Sequence, residues 1–200
     1  MNTSDAAARF NLYLGRSFLS ERTCEEIIRN VAHTQPSVAP VYGRGNSATV
    51  DERVRKVTLL TPPRDTVALV AERLSALIDS VGQHFRITLN SCEEPQFLRY
   101  EPGDFFVAHQ DGNTGMLLTN REQSRKVSLV VFLNRQSDSS EPGTYKGGSL
   151  LFSDWHPARQ PAQFALHGDA GLLVAFPSET THEVTPITEG ERYSIVSWFG

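Results

Sequence analysis

After Gly82 the chain carries eight short β-rich runs, separated by turn signals and with no helix-length pattern between them. The runs are Gln96–Tyr100, Phe105–His109, Lys126–Leu133, Gly148–Phe152, Ala162–Leu166, Gly171–Phe176, His182–Thr185 and Arg192–Phe199. Parallel strands need crossover connections of a dozen or more residues, usually helical, and no such helices are read between these runs. Antiparallel sheets remain, and strands this short and this numerous predict a double-stranded β-helix, a jelly roll of the cupin type. Glu101-Pro102-Gly103-Asp104 and Thr188-Glu189-Gly190-Glu191 read as turns, because Pro fixes φ and Gly permits positive φ.

The first half of the chain reads differently. Ser20 is an N-cap, followed by acidic residues in the first turn, so a helix is expected from Glu21 to about His33. The Pro-, Gly- and Ser-rich stretch Gln35–Asp51 reads as a loop. Thr61-Pro62-Pro63 opens a second helix, whose Val67, Val70, Leu74, Leu77, Ile78 and Val81 form one apolar stripe. The fold class is therefore mainly β with flanking helices, the helices packed on one sheet. At 200 residues and 39% hydrophobic, one core and a single domain over 1–200 are expected, with 1–90 as helical support and substrate loop and 91–200 as jelly-roll core.

Net charge is −4 and no basic block stands out, which argues against nucleic acid or an anionic membrane as partner. The N-terminal MNTSDAAARFNLYLGRSF has no apolar run of the signal-peptide kind, and no stretch approaches membrane-spanning length. Cys24 and Cys92 lie outside any CxxC pattern. A reducing, cytoplasmic setting is the expectation.

Against this scaffold four polar residues are conspicuous: His109 and Asp111, then His182, then Arg192. Two neutral imidazoles and one carboxylate are the facial ligand set of non-haem Fe(II) oxygenases. A lone His-x-Asp is weak, since composition gives roughly 0.3 by chance. The chain indeed holds a second, His167-Gly168-Asp169. His109 and Asp111 close a β-rich run, where alternation points both side chains one way. His167 and Asp169 flank a glycine in a turn and are read as solvated. Asp111 and His182 lie far enough apart for a separate strand to bring His182 in. Arg192, Ser194, Val196 and Trp198 share a strand face, and an arginine on an apolar face needs a partner such as a bound carboxylate. If a turn centres near Glu189, Arg192 pairs about four residues along from His182, a span of roughly 13 Å.

In ordered combination these segments resemble the prolyl 4-hydroxylase-like 2-oxoglutarate- and Fe(II)-dependent dioxygenases. The likeness covers roughly Arg99 to Phe199 and rests on Tyr100-Glu101-Pro102-Gly103-Asp104-Phe105 leading to His109-Gln110-Asp111, on Val127–Asn134, on Tyr145-Lys146-Gly147-Gly148, and on His182–Pro186 with Arg192-Tyr193-Ser194. Ser149 departs from it, standing where the double-glycine motif commonly carries an acidic residue. The resemblance implies iron on His109, Asp111 and His182. It implies the distal carboxylate of 2-oxoglutarate on Arg192, with Tyr100 and Ser194 assisting. It also implies O2 as second substrate, ascorbate as a reductant, and release of succinate and CO2. Hydroxylation is favoured over halogenation, because the Asp111 carboxylate fills the place a halide would need.

The expected reaction is hydroxylation of an unactivated C–H bond in a prolyl residue of a peptide or protein. A free amino acid or natural-product intermediate is the alternative substrate. A metal-binding cupin-like module without turnover and an inactive scaffold are the non-enzymatic readings, disfavoured by Arg192 and by the intact ligand set. Substrate contacts are expected in the loops Gln35–Asp51, Gly112–Arg125 and Gln136–Lys146. Trp198, Arg55 and Arg121 are the side chains named for it, with Arg44 and Arg53 as further cations that solvation would also explain.

Overall fold

The computed structural model describes residues 3–32, 53–112, 124–154 and 160–200, together with the backbone of short strand segments at 37–38, 41–42 and 48–49. Four helices occur among them: α1 (Thr3–Arg9), α2 (Glu21–Val31), α3 (Arg64–Ser75) and α4 (Ile78–Phe85). The strands of the first half are β1 (Tyr13–Gly15), β2 (Ser37–Val38), β3 (Val41–Tyr42), β4 (Ala48–Thr49), β5 (Arg55–Lys56) and β6 (Thr58–Leu60). Those of the second half begin with β7 (Gln96–Tyr100), β8 (Phe105–His109), β9 (Val127–Phe132), β10 (Tyr145–Gly147) and β11 (Leu150–Asp154). They end with β12 (Ala162–Leu166), β13 (Leu173–Pro177), β14 (Thr181–Val184), β15 (Ile187–Gly190) and β16 (Arg192–Phe199). No helix among the described residues is long and apolar enough to cross a membrane.

All eight expected runs become strands, four of them with the bounds read from the sequence. They form two antiparallel sheets, a larger one ordered β1-β13-β9-β16-β7-β6-β2 and a smaller one ordered β12-β11-β14-β8-β5. This is the expected double-stranded β-helix. Strand β9 lies inside the larger sheet, between β13 and β16, and all six of its residues are buried. Burial on both faces explains why its sequence is a near-continuous apolar run. Leu129, Val131, Ile195 and Phe199 face outward onto α2, α3 and α4, where Ile27, Val31, Val70, Leu74 and Val81 close the first core cluster. The alternate residues of β9 and β16 face the space between the sheets.

That space holds two apolar clusters rather than one. Phe10, Val130, Phe132, Phe152, Phe164 and Phe176 make up much of the first, and Val57, Leu98, Tyr100, Tyr145, Val184 and Ile187 make up the second. Val196 packs against both. Helix α1 contributes Ala6, with Phe10 just beyond its end, to the first cluster, and the Phe10 ring sits 5.8 Å from Phe152. The sequence reading gave this segment no helix.

Three expectations need correction. The stripe from Val67 to Val81 is carried by two helices, because the Leu77 N–H donates to Leu74 O in a tighter turn and breaks the α-helical ladder. The stretch around Thr188–Glu191 is largely strand, since β15 leaves the run of β14 to pair with β10. Most consequentially, Arg192 does not pair with the His182 strand. Strand β14 lies in the smaller sheet between β11 and β8, whereas β16 lies in the larger sheet between β9 and β7. The chain changes sheets through β15, so His182 and Arg192 come from opposite sheets of the sandwich, about 10 Å apart face to face.

Candidate functional site

Strands β8 and β14 set the first half of the site. His109 and His182 stand directly opposite one another in the ladder. The next paired positions are Phe106 and Val184, three residues along on β8 and two on β14, which marks a bulge in β8. One extra residue flips the alternation, so Phe106 rather than Val107 shares the face of His109. Accordingly the Phe106 ring stacks on the His109 imidazole with centroids 3.6 Å apart, while Val107 is exposed. On the other side Phe176 meets His182 edge-on at 4.7 Å. Each imidazole is thus flanked by an aromatic ring.

Both rings are also oriented from behind. His109 Nδ1 lies 2.8 Å from Val107 O, and His182 Nδ1 lies 2.9 Å from Thr180 O. With Nδ1–H donating to a carbonyl, each ring is held in the tautomer that leaves Nε2 as the free lone pair. Asp111 lies two residues beyond β8 and is anchored to the turn after β13: its own N–H and that of Gly112 donate to Ser178 O at 2.9 and 3.2 Å. Its carboxylate lies between the imidazoles, with Oδ1 3.5 Å from His109 Nε2 and Oδ2 3.5 Å from His182 Nε2.

The donor atoms of His109, Asp111 and His182 all lie within 4.8 Å of one another, the one such group among the described residues. Adjacent ligands about 2.1 Å from an ion are about 3 Å apart, so small side-chain shifts would close these three on a metal. Ionisation favours the same outcome. Burial, with the His109 charge, pushes the His182 imidazole down to about 4, against the opposing pull of Asp111, so His182 is neutral at neutral pH. Burial alone would raise the Asp111 carboxyl, but the two histidines and the Ser128 hydroxyl outweigh it and hold it well below the usual carboxylate range. Neutral imidazole and ionised carboxylate are the ligand forms. His167 and Asp169, in contrast, are both exposed.

The second half of the site lies on the larger sheet. Arg192 is 1% exposed and stands opposite Tyr100 in the ladder. Its guanidinium carbon is 5.1 Å from the Tyr100 ring and 5.1 Å from the Phe132 ring, one from each apolar cluster. Three buried polar atoms here lack a hydrogen bond: Arg192 Nε, Ser194 Oγ and Tyr145 Oη. Burial raises the Tyr145 hydroxyl, and the neighbouring Arg192 charge works against that. A Cβ at Gly148 would collide with Ile187 and come within 3.2 Å of Arg192 Cδ, and one at Gly168 would collide with the Tyr145 hydroxyl. Two glycines therefore keep clear the space around this arginine and phenol. Unpaired buried donors beside a buried cation suit an anion, and a carboxylate would satisfy them. The donor chemistry thus fits both an Fe(II)-type ion and a keto diacid.

Two functional candidates escaped the sequence reading. Ser128, buried on β9, donates to Asp111 Oδ2 at 2.7 Å. A lone hydroxyl in the run Val127–Phe132 was the available signal, since a polar atom there needs a partner. Tyr145 belongs by sequence to the double-glycine motif and to the end of the loop Gln136–Lys146, and nothing local distinguishes it from a core aromatic. Of the substrate candidates, Arg55 lies on β5 opposite Phe106, with its guanidinium carbon 4.8 Å from that ring. Trp198 is 7% exposed beneath Arg125, whose guanidinium carbon is 3.7 Å from its ring. Arg121 and Arg44 fall outside the described residues.

Comparison with known proteins supplies a context for this geometry. The family model described as the 2OG-Fe(II) oxygenase superfamily matches residues 95–200. A PKHD-type hydroxylase of Shewanella sp. (strain ANA-3) is 37% identical over 109 residues, which cover 52% of this chain and 41% of that protein. One of Paraburkholderia phytofirmans is 31% identical over 109 residues, covering 54% and 43%. The chain thus spans less than half the length of the curated relatives it matches. A prolyl-4-hydroxylase of Pseudomonas putida superposes with a TM-score of 0.68 at 25% identity, over 98% of this chain and 95% of that one. A prolyl hydroxylase of Trichoplax adhaerens, solved with a hypoxia inducible factor peptide fragment, gives 0.68 at 18% identity over 98% and 86%.

Proposed function

Because the chain belongs to the 2OG-Fe(II) oxygenase superfamily, we propose that it is an Fe(II)- and 2-oxoglutarate-dependent dioxygenase that hydroxylates an unactivated C–H bond, with a prolyl residue of a peptide or protein as substrate. The single observation that carries the reading is the pairing of two half-sites across the sandwich. On one sheet stands a triad of two imidazoles and a carboxylate, and on the other a buried arginine ringed by unpaired donors.

In this reading His109, Asp111 and His182 hold the iron on one face. The iron and cosubstrate, when bound, supply oxidative decarboxylation to succinate and CO2 with transfer of one oxygen atom to the substrate. Arg192 pairs with the distal carboxylate of 2-oxoglutarate, and Ser194 and Tyr145 donate to it. Tyr100 and Phe132 brace the guanidinium through their ring faces. The two apolar clusters on either side keep bulk water from this contact and so strengthen it. Arg55 beside Phe106 and Trp198 beneath Arg125 are the side chains proposed toward the substrate.

The prolyl assignment is supported by the near-full-length likeness to the Pseudomonas putida prolyl-4-hydroxylase. A proline also suits an open site, because its fixed φ lowers the cost of ordering an extended chain. The test is succinate release by the Fe(II)-loaded protein against panels of proline-containing peptides and free amino acids, with mass spectrometry for a +16 product. A rise over the uncoupled background with peptides is expected. A rise only with a free amino acid or another small metabolite would remove the peptidyl assignment and leave the oxygenase standing.

A further inference from the structure

Ser128 is 1% exposed, and its hydroxyl makes two side-chain contacts, 2.7 Å to Asp111 Oδ2 and 3.0 Å to Ser178 Oγ. The direction of these bonds is fixed. An ionised carboxylate only accepts, so the Ser128 proton goes to Asp111, and Ser128 Oγ must then accept from Ser178. Ser178 also accepts the N–H of Asp111 and that of Gly112 through its own carbonyl. Asp111 is thereby fixed at one carboxylate oxygen by Ser128 of the larger sheet and at the backbone by Ser178 in the turn after β13, while its histidine neighbours belong to the smaller sheet.

We propose that Ser128, backed by Ser178, is a positioning residue that keeps Asp111 a one-oxygen ligand through Oδ1. The proposal rests on the reading that Asp111 binds the metal. Its importance follows from counting positions. Two imidazoles and one carboxylate oxygen would leave three positions of a six-coordinate ion open, and a keto acid held at two points would need two of them. A carboxylate bound through both oxygens would take one of those three. The Ser128 hydrogen bond fixes the rotation of the carboxylate and makes Oδ2, which also lies 3.5 Å from His182 Nε2, the poorer of the two donors, so a buried hydroxyl favours binding through Oδ1 alone.

The test uses the full chain loaded anaerobically with Co(II), whose visible absorption reports coordination number. Wild type, Ser128→Ala, Ser128→Thr and Ser178→Ala are compared for Co(II) affinity, for the absorption spectrum, and for the dissociation constant of 2-oxoglutarate on the loaded protein. Ser128→Ala is expected to bind Co(II) about 10- to 100-fold more weakly. Its spectrum should change before cosubstrate is added, and 2-oxoglutarate should bind roughly tenfold more weakly, in keeping with a lost hydrogen bond to a charged group. Ser128→Thr keeps the hydroxyl and should restore all three, and Ser178→Ala should fall between. Wild-type Co(II) affinity, spectrum and cosubstrate affinity in Ser128→Ala would overturn the proposal, as would a threonine variant that behaves like alanine. If far-UV dichroism shows that Ser128→Ala is unfolded, Ser178→Ala decides by the same three readouts. Undiminished Co(II) binding in Asp111→Ala would instead overturn the metal-site reading itself.

Discussion

The two halves of the site are prepared in opposite ways. Around the triad the polar groups are tied back: each imidazole Nδ1 to a carbonyl, and Asp111 to Ser128 and Ser178. Around Arg192 the reverse holds, with Arg192 Nε, Ser194 Oγ and Tyr145 Oη buried and unpartnered. Burying a polar atom without a partner costs free energy that the fold must recover elsewhere. One half is thus preorganised at little cost, and the other stores a deficit that a bound anion would relieve. Substitutions in the two halves should therefore differ in kind. Those in the triad should remove metal binding, whereas those around Arg192 should weaken cosubstrate binding and leave the apo fold intact or firmer.

The largest effect is expected at the triad. His109→Ala, Asp111→Ala and His182→Ala should each abolish Fe(II)-dependent turnover and metal uptake in a calorimetric titration. His167→Ala and Asp169→Ala, on exposed residues, should change neither. Full activity in Asp111→Ala beside an inactive Asp169→Ala would reverse the assignment. Next comes Arg192→Ala, which should weaken 2-oxoglutarate by about 2–4 kcal/mol, or ~30- to 1000-fold, while sparing the metal. Anaerobic titration of the Mn(II)-loaded protein measures it, and an unchanged dissociation constant would refute the role.

Acid should also separate the halves. The folded His182 imidazole titrates near 4 rather than 6.5. Below 6.5 the unfolded chain takes up a proton that the folded chain refuses, so the stability contribution is whole above 6.5 and is lost as pH falls through about 4. Asp111, held low, gives up its contribution only below the ordinary carboxylate range and does not act in this window. The expected loss is no more than about 3 kcal/mol. Denaturant titrations of metal-free protein between pH 7 and 4 would measure it, and Mn(II) should move its onset to lower pH. His182→Ala should flatten the profile, while Arg192→Met should not. A slope untouched by His182→Ala would place the acid sensitivity elsewhere.

How much of this could be read from the chain alone also divides along the comparison. The triad and the strands that carry it were legible because alternation, turn chemistry and the His-x-Asp spacing are local. Strands β7 and β8 were placed to the residue for that reason. Arg192 was found from its place on an apolar face, but its relation to His182 was misjudged. Whether β14 and β16 pair is decided by β15, whose Thr188-Glu189-Gly190 carries the composition of a turn yet pairs with β10. Such pairing is a long-range choice that no local signal encodes. The bulge in β8, which turns Phe106 toward His109, was hidden for the same reason. Tyr145 reaches the pocket only because Gly168, from the turn between β12 and β13, leaves room for its hydroxyl. By sequence alone Gly168 belongs with His167 and Asp169 to a solvated turn.

The smallest effect is the sharpest test of the contrast, because it concerns a single atom. Tyr145→Phe removes the unpartnered hydroxyl and preserves the ring that packs among Leu98, Tyr100 and Ile187. If the hydroxyl serves only the fold, its loss should leave 2-oxoglutarate binding unchanged. If it donates to the cosubstrate carboxylate, binding should weaken by about 1.5 kcal/mol, or roughly tenfold, as for one hydrogen bond to a charged group. Metal-free stability should hold or rise slightly, because an unsatisfied buried group has been deleted. The paired measurement is a thermal melt of the metal-free protein and an anaerobic 2-oxoglutarate titration of the Mn(II)-loaded form. A lowered melting temperature with unchanged affinity would make Tyr145 a structural residue. It would also remove one of the three unpaired donors from the argument that this half of the interior is built to receive an anion.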